Sequence, residues 1–202
     1  MNKVQKPSTG IVILAAGNSS RLGIAKQLLE FNGINLLQNA INVGKESSAD
    51  HVVIVLGAKM DEIKSQIDFS SIYVSVNEYW ENGMASSMQV GLKKLNEIAK
   101  LDQVIIMLCD QPFVNSKLID SMINLQSHSE KNIIACKYGD TLGVPALFTK
   151  KHFDNLLKLS STEGAKKVIY KYQDDCGIIN FEQGSIDIDT IEDYRKLISK
   201  KT

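Results

Sequence analysis

Short apolar runs of strand length alternate along the chain with stretches whose apolar residues recur at helical spacing. Gly10–Ala16, Val52–Leu56, Ile72–Val76, Val104–Leu108 and Ile133–Cys136 are apolar and rich in Val and Ile. Runs of this length read as buried strands. Between them, Asn35–Lys45 carries apolar residues at 36, 37, 40, 41 and 43. Ala85–Ile98 carries them at 85, 88, 92, 95 and 98, and Ser116–Leu125 at 118, 119, 122, 123 and 125. A stripe at that spacing gives a helix with one apolar face. Asp61–Ile67 reads as a shorter helix. After Lys137 the rhythm changes. Tyr138–Phe148 reads as two short extended pieces joined near Gly139 and Gly143. Helices are expected near 150–158 and 163–171, short strands near 177–181 and 186–188, and a last helix from about Thr190.

Continuous apolar strands separated by helices predict a doubly wound, mostly parallel α/β sheet covered on both faces. Residues 1–9 are expected to be a frayed lead-in. Residues 10–202 are expected to form one domain, with 138–202 as a small lobe built onto the sheet of 10–137. The length of 202 residues suits one domain with a substantial core. In open α/β sheets ligands sit beyond the carboxyl ends of the strands, so the loops after the first, third and fourth strands are where chemistry is expected.

Composition narrows the function. Lys plus Arg and Asp plus Glu both number 23, for zero formal charge. That balance excludes a grossly basic nucleic-acid binder. No apolar run reaches the ~18–20 residues of a membrane span, and the polar Met1–Thr9 segment does not resemble a signal peptide. Cys109, Cys136 and Cys176 are widely spaced and form no metal or disulfide pattern. A cytoplasmic protein is the simplest expectation.

The loop after the first strand holds the most unusual residues. It runs Leu14-Ala15-Ala16-Gly17-Asn18-Ser19-Ser20-Arg21-Leu22-Gly23-Ile24-Ala25-Lys26-Gln27. Small residues let backbone approach a ligand, exposed N–H groups make an anion-binding nest, and Arg21 and Lys26 add cations suited to phosphate oxygens. The spacing fits neither the dinucleotide-binding Gly-x-Gly-x-x-Gly nor the Walker Gly-Lys-Ser/Thr. Two other loops stand out. Asp110, in Cys109-Asp110-Gln111-Pro112, ends a buried strand; it can bind Mg²⁺ or accept N–H bonds in the turn. Asp187 and Asp189 flank Ile188 two residues apart, and Asp189 can cap the last helix.

The loop from Leu14 to Lys26 resembles the Leu-Ala-Ala-Gly-x-Ser-x-Arg-x-Gly-x-x-Lys pattern of the MobA-like NTP transferases, a family that includes molybdenum cofactor guanylyl- and cytidylyltransferases. Asn77 to Ser87, the Asp110-Gln111-Pro112 turn, Gly143-Val144-Pro145 and Asp187 to Tyr194 are similar to further family segments in family order. The resemblance implies a Rossmann-like nucleotidyltransferase fold. It also implies transfer of NMP from an NTP to a phosphorylated acceptor, with Mg²⁺ as cofactor and pyrophosphate released. Arg21 and Lys26 are the implied catalytic residues. The implied nucleotide-binding set is Leu14, Ala15, Ala16, Gly17, Ser19, Arg21, Gly23, Lys26, Asn77, Gly83, Ser86, Ser87 and Asp110. Asp110 and Asp189 are the implied metal ligands, with Asp189 ranked above Asp187.

Ala16 looks like the cytidylyl enzymes, since guanylyl enzymes carry Gly there, so CTP is the expected nucleotide. A molybdopterin-type acceptor and a molybdoenzyme client follow from the same resemblance. Val144 stands where many cytidylyl enzymes of that pathway have His, and Lys166 where the family has Arg, so the acceptor stays open. The alternatives are a sugar- or polyol-phosphate nucleotidyltransferase and a non-catalytic nucleotide or cofactor delivery module. Trp80 is read as a packing residue and Cys109 as a small buried one.

Overall fold

The computed structural model describes residues 6–199. Residues 1–5 of the expected lead-in lie outside the described residues. From Ser8 the chain is tied down: the Ser8 N–H donates to Asp102 Oδ2 at 3.0 Å and the Thr9 N–H to Asp50 Oδ2 at 2.8 Å. Strand β1 (Thr9–Ala15) therefore starts one residue earlier than the apolar run. A small hairpin follows, β2 (Glu30–Phe31) and β3 (Ile34–Asn35), then α1 (Leu36–Glu46), β4 (His51–Leu56), α2 (Met60–Lys64) and β5 (Tyr73–Val76). The chain continues through α3 (Met84–Ile98), β6 (Gln103–Leu108), α4 (Ser116–Ser127), β7 (Ile133–Tyr138) and β8 (Thr141–Thr149). It closes with α5 (Phe153–Leu157), α6 (Ala165–Lys171), β9 (Cys176–Asn180) and α7 (Ile191–Ser199).

Seven strands form one sheet in the order β5-β4-β1-β6-β8-β7-β9. All are parallel except β8, which runs antiparallel to both β6 and β7. Every residue of β1 is buried, as expected for a central strand covered on both faces. Ile11, Ile13 and Ala15 face one core with α1 and α4; Val12, Leu14 and Ala16 face the other with α3, α5 and α6. Gly91 lets α3 lie directly on the sheet, because a Cβ there would run into Val12 and Val55.

The structure departs from the sequence-based expectation in four places. Gly143 does not break Tyr138–Phe148 into two pieces. The chain turns at Gly139 (φ +55°) and returns as one long strand. A shift of register after Ala135 absorbs the irregularity of the Gly143-Val144-Pro145 segment. The run at 72–76 is the sheet edge and only half-buried, because β4 covers one side alone. No strand forms at 186–188. There the alternation of Ile186 and Ile188 marks one buried face, not sheet pairing: Ile188 is fully buried with Leu29, Leu36 and Leu197. Finally, β2 and β3 were not anticipated. Their signal is Asn32-Gly33, both at positive φ between Phe31 and Ile34.

That small cluster matters for the site. Ile188 and Leu197 fasten the closing segment to Leu29 and Leu36, which follow the first loop, and the Tyr194 hydroxyl donates to Glu30 O at 2.8 Å. At the opposite pole Asp175 ties the β7 and β9 ends together. It accepts from Asn132 N and Nδ2 at 3.2 and 3.0 Å and from Lys151 Nζ at 2.8 Å, and it lies 3.1 Å from His152 Nε2. Burial acts to raise its pKa, but Lys151, Asn132 and His152 outweigh that and hold the carboxyl well below the usual range.

Two outcomes follow. Ile188→Ala is expected to cost about 2–4 kcal/mol in denaturant unfolding and to speed amide exchange across 186–199 more than in the sheet. A carboxyl with a depressed folded pKa stabilises above its unfolded value of ~4 and loses that contribution as pH falls. Asp175→Asn should therefore destabilise at neutral pH and flatten the fall in stability below pH ~4, checked by unfolding across a pH series.

Candidate active site

A cavity of about 350 Å³ opens at the carboxyl ends of β1 and β6. Its floor is Leu14, Ala15, Ala16 and Gly17 with Leu108, Cys109 and Asp110, and its walls include Lys26, Trp80, Gly83 and Ser87. The backbone of the first loop is turned one way round. Leu14 O accepts from Cys109 N at 3.3 Å and Ala16 O from Ala58 N at 3.1 Å. Ala15 O and Gly17 O both accept from the buried Gln27 side-chain amide, at 2.7 and 3.1 Å. Among the described residues, no protein group accepts from the N–H groups of Gly17 through Arg21. The carbonyls are locked into the protein and the donors are left for an anion. Ser19, at φ +54°, and Gly23, at φ +73°, make the reversals this requires. The Lys26 N–H donates to Ser19 Oγ at 3.0 Å and closes the loop.

Lys26 is the centre of charge. Its Nζ donates to Asp110 Oδ2 at 2.5 Å and to Asp189 Oδ1 at 3.0 Å. Burial works against its charge, but the Asp110 and Asp189 carboxylates outweigh this and raise its pKa above the usual lysine value. Lys26 is therefore an ammonium at any physiological pH. Arg21 Nη1 stands 3.6 Å from Asp189 Oδ2, an exposed pairing. Asp189 does not cap the last helix. Thr190 does: its N–H and hydroxyl donate to Asp193 Oδ2, and the Asp193 N–H donates back to Thr190 Oγ1. Asp189 is thereby left to face Lys26. Asp187 does not contact Lys26; partial desolvation and the Asp110 and Asp189 carboxylates push its pKa up.

The structure gathers most of the expected residues but gives them different positions. Leu14, Ala15, Ala16, Gly17, Lys26, Gly83, Ser87 and Asp110 line the cavity. Ser19, Arg21, Gly23 and Asp189 stand at its rim, joined to it through Lys26 or through the loop backbone. Asn77 stands behind the wall. Its buried amide donates to Ser86 Oγ and Ser87 Oγ at 2.8 and 2.9 Å, so it fixes the first turn of α3. Ser86 turns to Gly83 O and the outer side of that helix. Gly83 takes φ +88°, and a Cβ there would strike Ser161 O. Trp80 both packs on the core beside Gly57 and walls the cavity.

Cys109 is fully buried. Burial and Asp110 push its thiol up to about 12, which leaves no thiolate for nucleophilic attack. Two buried glutamines were not anticipated. Gln27 locks the loop, and Gln111 donates to Val144 O at 3.0 Å and Gly184 O at 3.1 Å, joining the Asp110 turn to β8 and the closing segment. Their signal in the sequence is adjacency to Lys26 and Asp110, and for Gln111 also its place in the Asp110-Gln111-Pro112 turn.

The carboxylates suit a divalent cation. Asp110 Oδ2 and Asp189 Oδ1 already converge on one charged atom, and Asp110 Oδ1 is buried without a partner. Among the described residues there is no group of three or more His, Cys, Asp or Glu side chains placed to hold a metal. Two carboxylates are the set that Mg²⁺ accepts when phosphates and water complete its shell.

Gln27→Glu, nearly isosteric, sets a carboxylate against the Ala15 and Gly17 carbonyls. It is expected to cost about 1–3 kcal/mol and to raise amide exchange in residues 17–24. An unchanged melt and exchange pattern would remove Gln27 from the loop's architecture.

Comparison with known proteins shows the family and the fold. The family model for the MobA-like NTP transferase domain matches residues 11–176. The purine catabolism protein PucB of Bacillus subtilis is 26% identical over 91% of this chain and 92% of its own. The nicotine blue oxidoreductase of Paenarthrobacter nicotinovorans is 28% identical over 75% of this chain and 72% of its own. The crystal structure of Rv0371c from Mycobacterium tuberculosis superposes with a TM-score of 0.82 at 26% identity, covering 96% of this chain and all of that one. The same protein is also known in complex with manganese, at a TM-score of 0.78 and 24% identity, covering 96% of this chain and 98% of that one. The matched span carries β1 with its loop, Lys26 and Asp110, and the chain belongs to the MobA-like NTP transferase family of nucleotidyltransferases.

Proposed function

We propose that this nucleotidyltransferase moves CMP from CTP to a small phosphorylated acceptor with Mg²⁺ as its cofactor. The observation that carries the reading is the position of Lys26 Nζ, held between Asp110 and Asp189 beside a loop in which the N–H groups of Gly17 through Arg21 have no protein acceptor among the described residues. In the reaction an acceptor phosphate oxygen bonds to the α-phosphorus of the NTP. The bond from that phosphorus to the bridging oxygen breaks, and pyrophosphate leaves with the electron pair. Such a step needs alignment and charge neutralisation more than covalent help. The loop N–H groups and Arg21 hold the triphosphate, and Lys26 meets the charge that develops on its oxygens. Asp110 and Asp189 would hold Mg²⁺, which supplies further neutralisation of the phosphates when bound.

The preference for cytosine rests on Ala16. It is buried in the cavity floor, with its methyl close to the backbone of Gly57, and it narrows the room for a purine. The acceptor is expected on the side of residues 138–202. There Lys166 Nζ lies 5.9 Å over the Tyr138 ring and offers the phosphate a cation without the two-pronged grip of Arg. A molybdopterin-type phosphate is the first acceptor to test, with sugar and polyol phosphates beside it; a molybdoenzyme would be the client in the first case. No helix of the described residues is long and apolar enough to cross a membrane, in keeping with a cytoplasmic role.

Lys26→Ala and Asp110→Ala are each expected to lower kcat/KM by at least ~100-fold, about 2.7 kcal/mol, in a pyrophosphate-release assay. Near wild-type turnover would remove that residue from the chemistry. A thermal-shift panel of CTP, GTP, ATP, UTP and dTTP, with and without Mg²⁺, should respond most to CTP with Mg²⁺. A ligand at 100 times its Kd adds about 2.7 kcal/mol, several degrees for a chain of this size. A larger shift with GTP would overturn the reading of Ala16. Binding without pyrophosphate release from any acceptor would point to a delivery module.

A further inference from the structure

Asp110 and Asp189 come together on one charged atom, and that atom belongs to the protein. Lys26 Nζ occupies the point where the two carboxylates converge, at 2.5 and 3.0 Å, and its side chain is only 16% exposed. A divalent cation held by both carboxylates would need that same point. It could not sit there beside Lys26, because two cations at contact distance repel strongly in a partly buried site. Charge counting gives the same answer. Two carboxylates already face the Lys26 ammonium, with the Arg21 guanidinium 3.6 Å from Asp189. Adding a divalent cation alone would place four positive charges against the two carboxylates that hold Lys26 and the nearby Asp187. Among the described residues, no third acidic or imidazole side chain is placed with these two to hold a metal. A triphosphate changes the balance, because its oxygens offer Lys26 another partner and offer the metal the ligands the protein lacks.

We infer that Asp110 and Asp189 form a single cation seat that Lys26 fills in the free protein, so that the metal enters only as Lys26 moves to the phosphates. Lys26 thus excludes free metal and couples metal binding to nucleotide binding. This rests on the proposed use of a metal–nucleotide substrate, but its central test contains no nucleotide.

The probe is Mn²⁺, titrated without nucleotide and followed by the loss of the free-ion electron paramagnetic resonance signal. Lys26→Met is expected to bind Mn²⁺ at least ~10-fold more tightly than wild type. Asp189→Asn placed in the Lys26→Met background should abolish the gain. Lys26→Gln is the second variant, since a neutral amide can still donate to Asp110 if Lys26→Met folds poorly; it too should gain affinity. CTP should tighten Mn²⁺ binding in wild type by a larger factor than in either variant. Equal Mn²⁺ affinity in wild type and in the folded Lys26 variants would overturn the inference, as would a gain that survives Asp189→Asn. Failure of CTP to bind would count against the proposed substrate and leave the contrast in metal affinity readable.

Discussion

One ammonium group joins three parts of the chain that lie far apart in sequence. Lys26 comes from the loop after the first strand, Asp110 from the end of the fourth parallel-run strand β6, and Asp189 from the segment before the last helix. A buried cation is costly unless it is paired and hydrogen-bonded. Much of the surrounding architecture provides that pairing. β1 and β6 are hydrogen-bonded neighbours, so their carboxyl ends bring Lys26 and Asp110 to the same rim of the sheet. The Ser19 hydroxyl fixes the backbone of Lys26, and the Thr190–Asp193 cap keeps Asp189 out of helix hydrogen bonding.

The loop itself is organised by a second device, a set of carbonyls satisfied from behind. Gln27, Ala58 and Cys109 together donate to four consecutive carbonyls, Leu14 through Gly17. Buried backbone oxygens need partners, and once these face inward the donors of the following residues face out. In the proposed reading, anion affinity is a property of backbone direction, set from behind by one neutral side chain and two backbone donors. Gln111 does comparable work at the other carboxylate, holding the Asp110 turn against β8 and Gly184.

Much of this was legible in the sequence, and the exceptions share a cause. The parallel strands, helices α1, α3 and α4, and the loop from Leu14 to Lys26 announce themselves through periodicity and residue type. So do Asp110, at the end of an apolar run, and Asp189, through its place in a longer motif. Periodicity reports which faces are buried but not what covers them. Ile186 and Ile188 alternate like a strand yet bury themselves in a side cluster. Nothing in the run from Thr141 to Thr149 says that it will slip between β6 and β7 in the opposite direction. Gln27 and Gln111 look like surface residues in one dimension. They are buried because carbonyls need donors, those of its own loop for Gln27 and those of distant segments for Gln111, a demand that only the folded arrangement creates.

The closing segment joins the site on different terms from the rest. The family model ends at residue 176, and Asp189 arrives later, on a stretch fastened mainly by Ile188, Leu197 and the Tyr194 hydroxyl. Lys26 and Asp110 belong to the cooperative unit of the sheet, whereas Asp189 belongs to a piece that can lift away with only a small core to break. Segments held so lightly open far more often than the body they rest on. The proposed site is therefore assembled from two units of unequal stability, and its completeness follows the weaker one. On warming, the third charge would be lost while the sheet is still intact, so the working range of the protein would be narrower than its folded range.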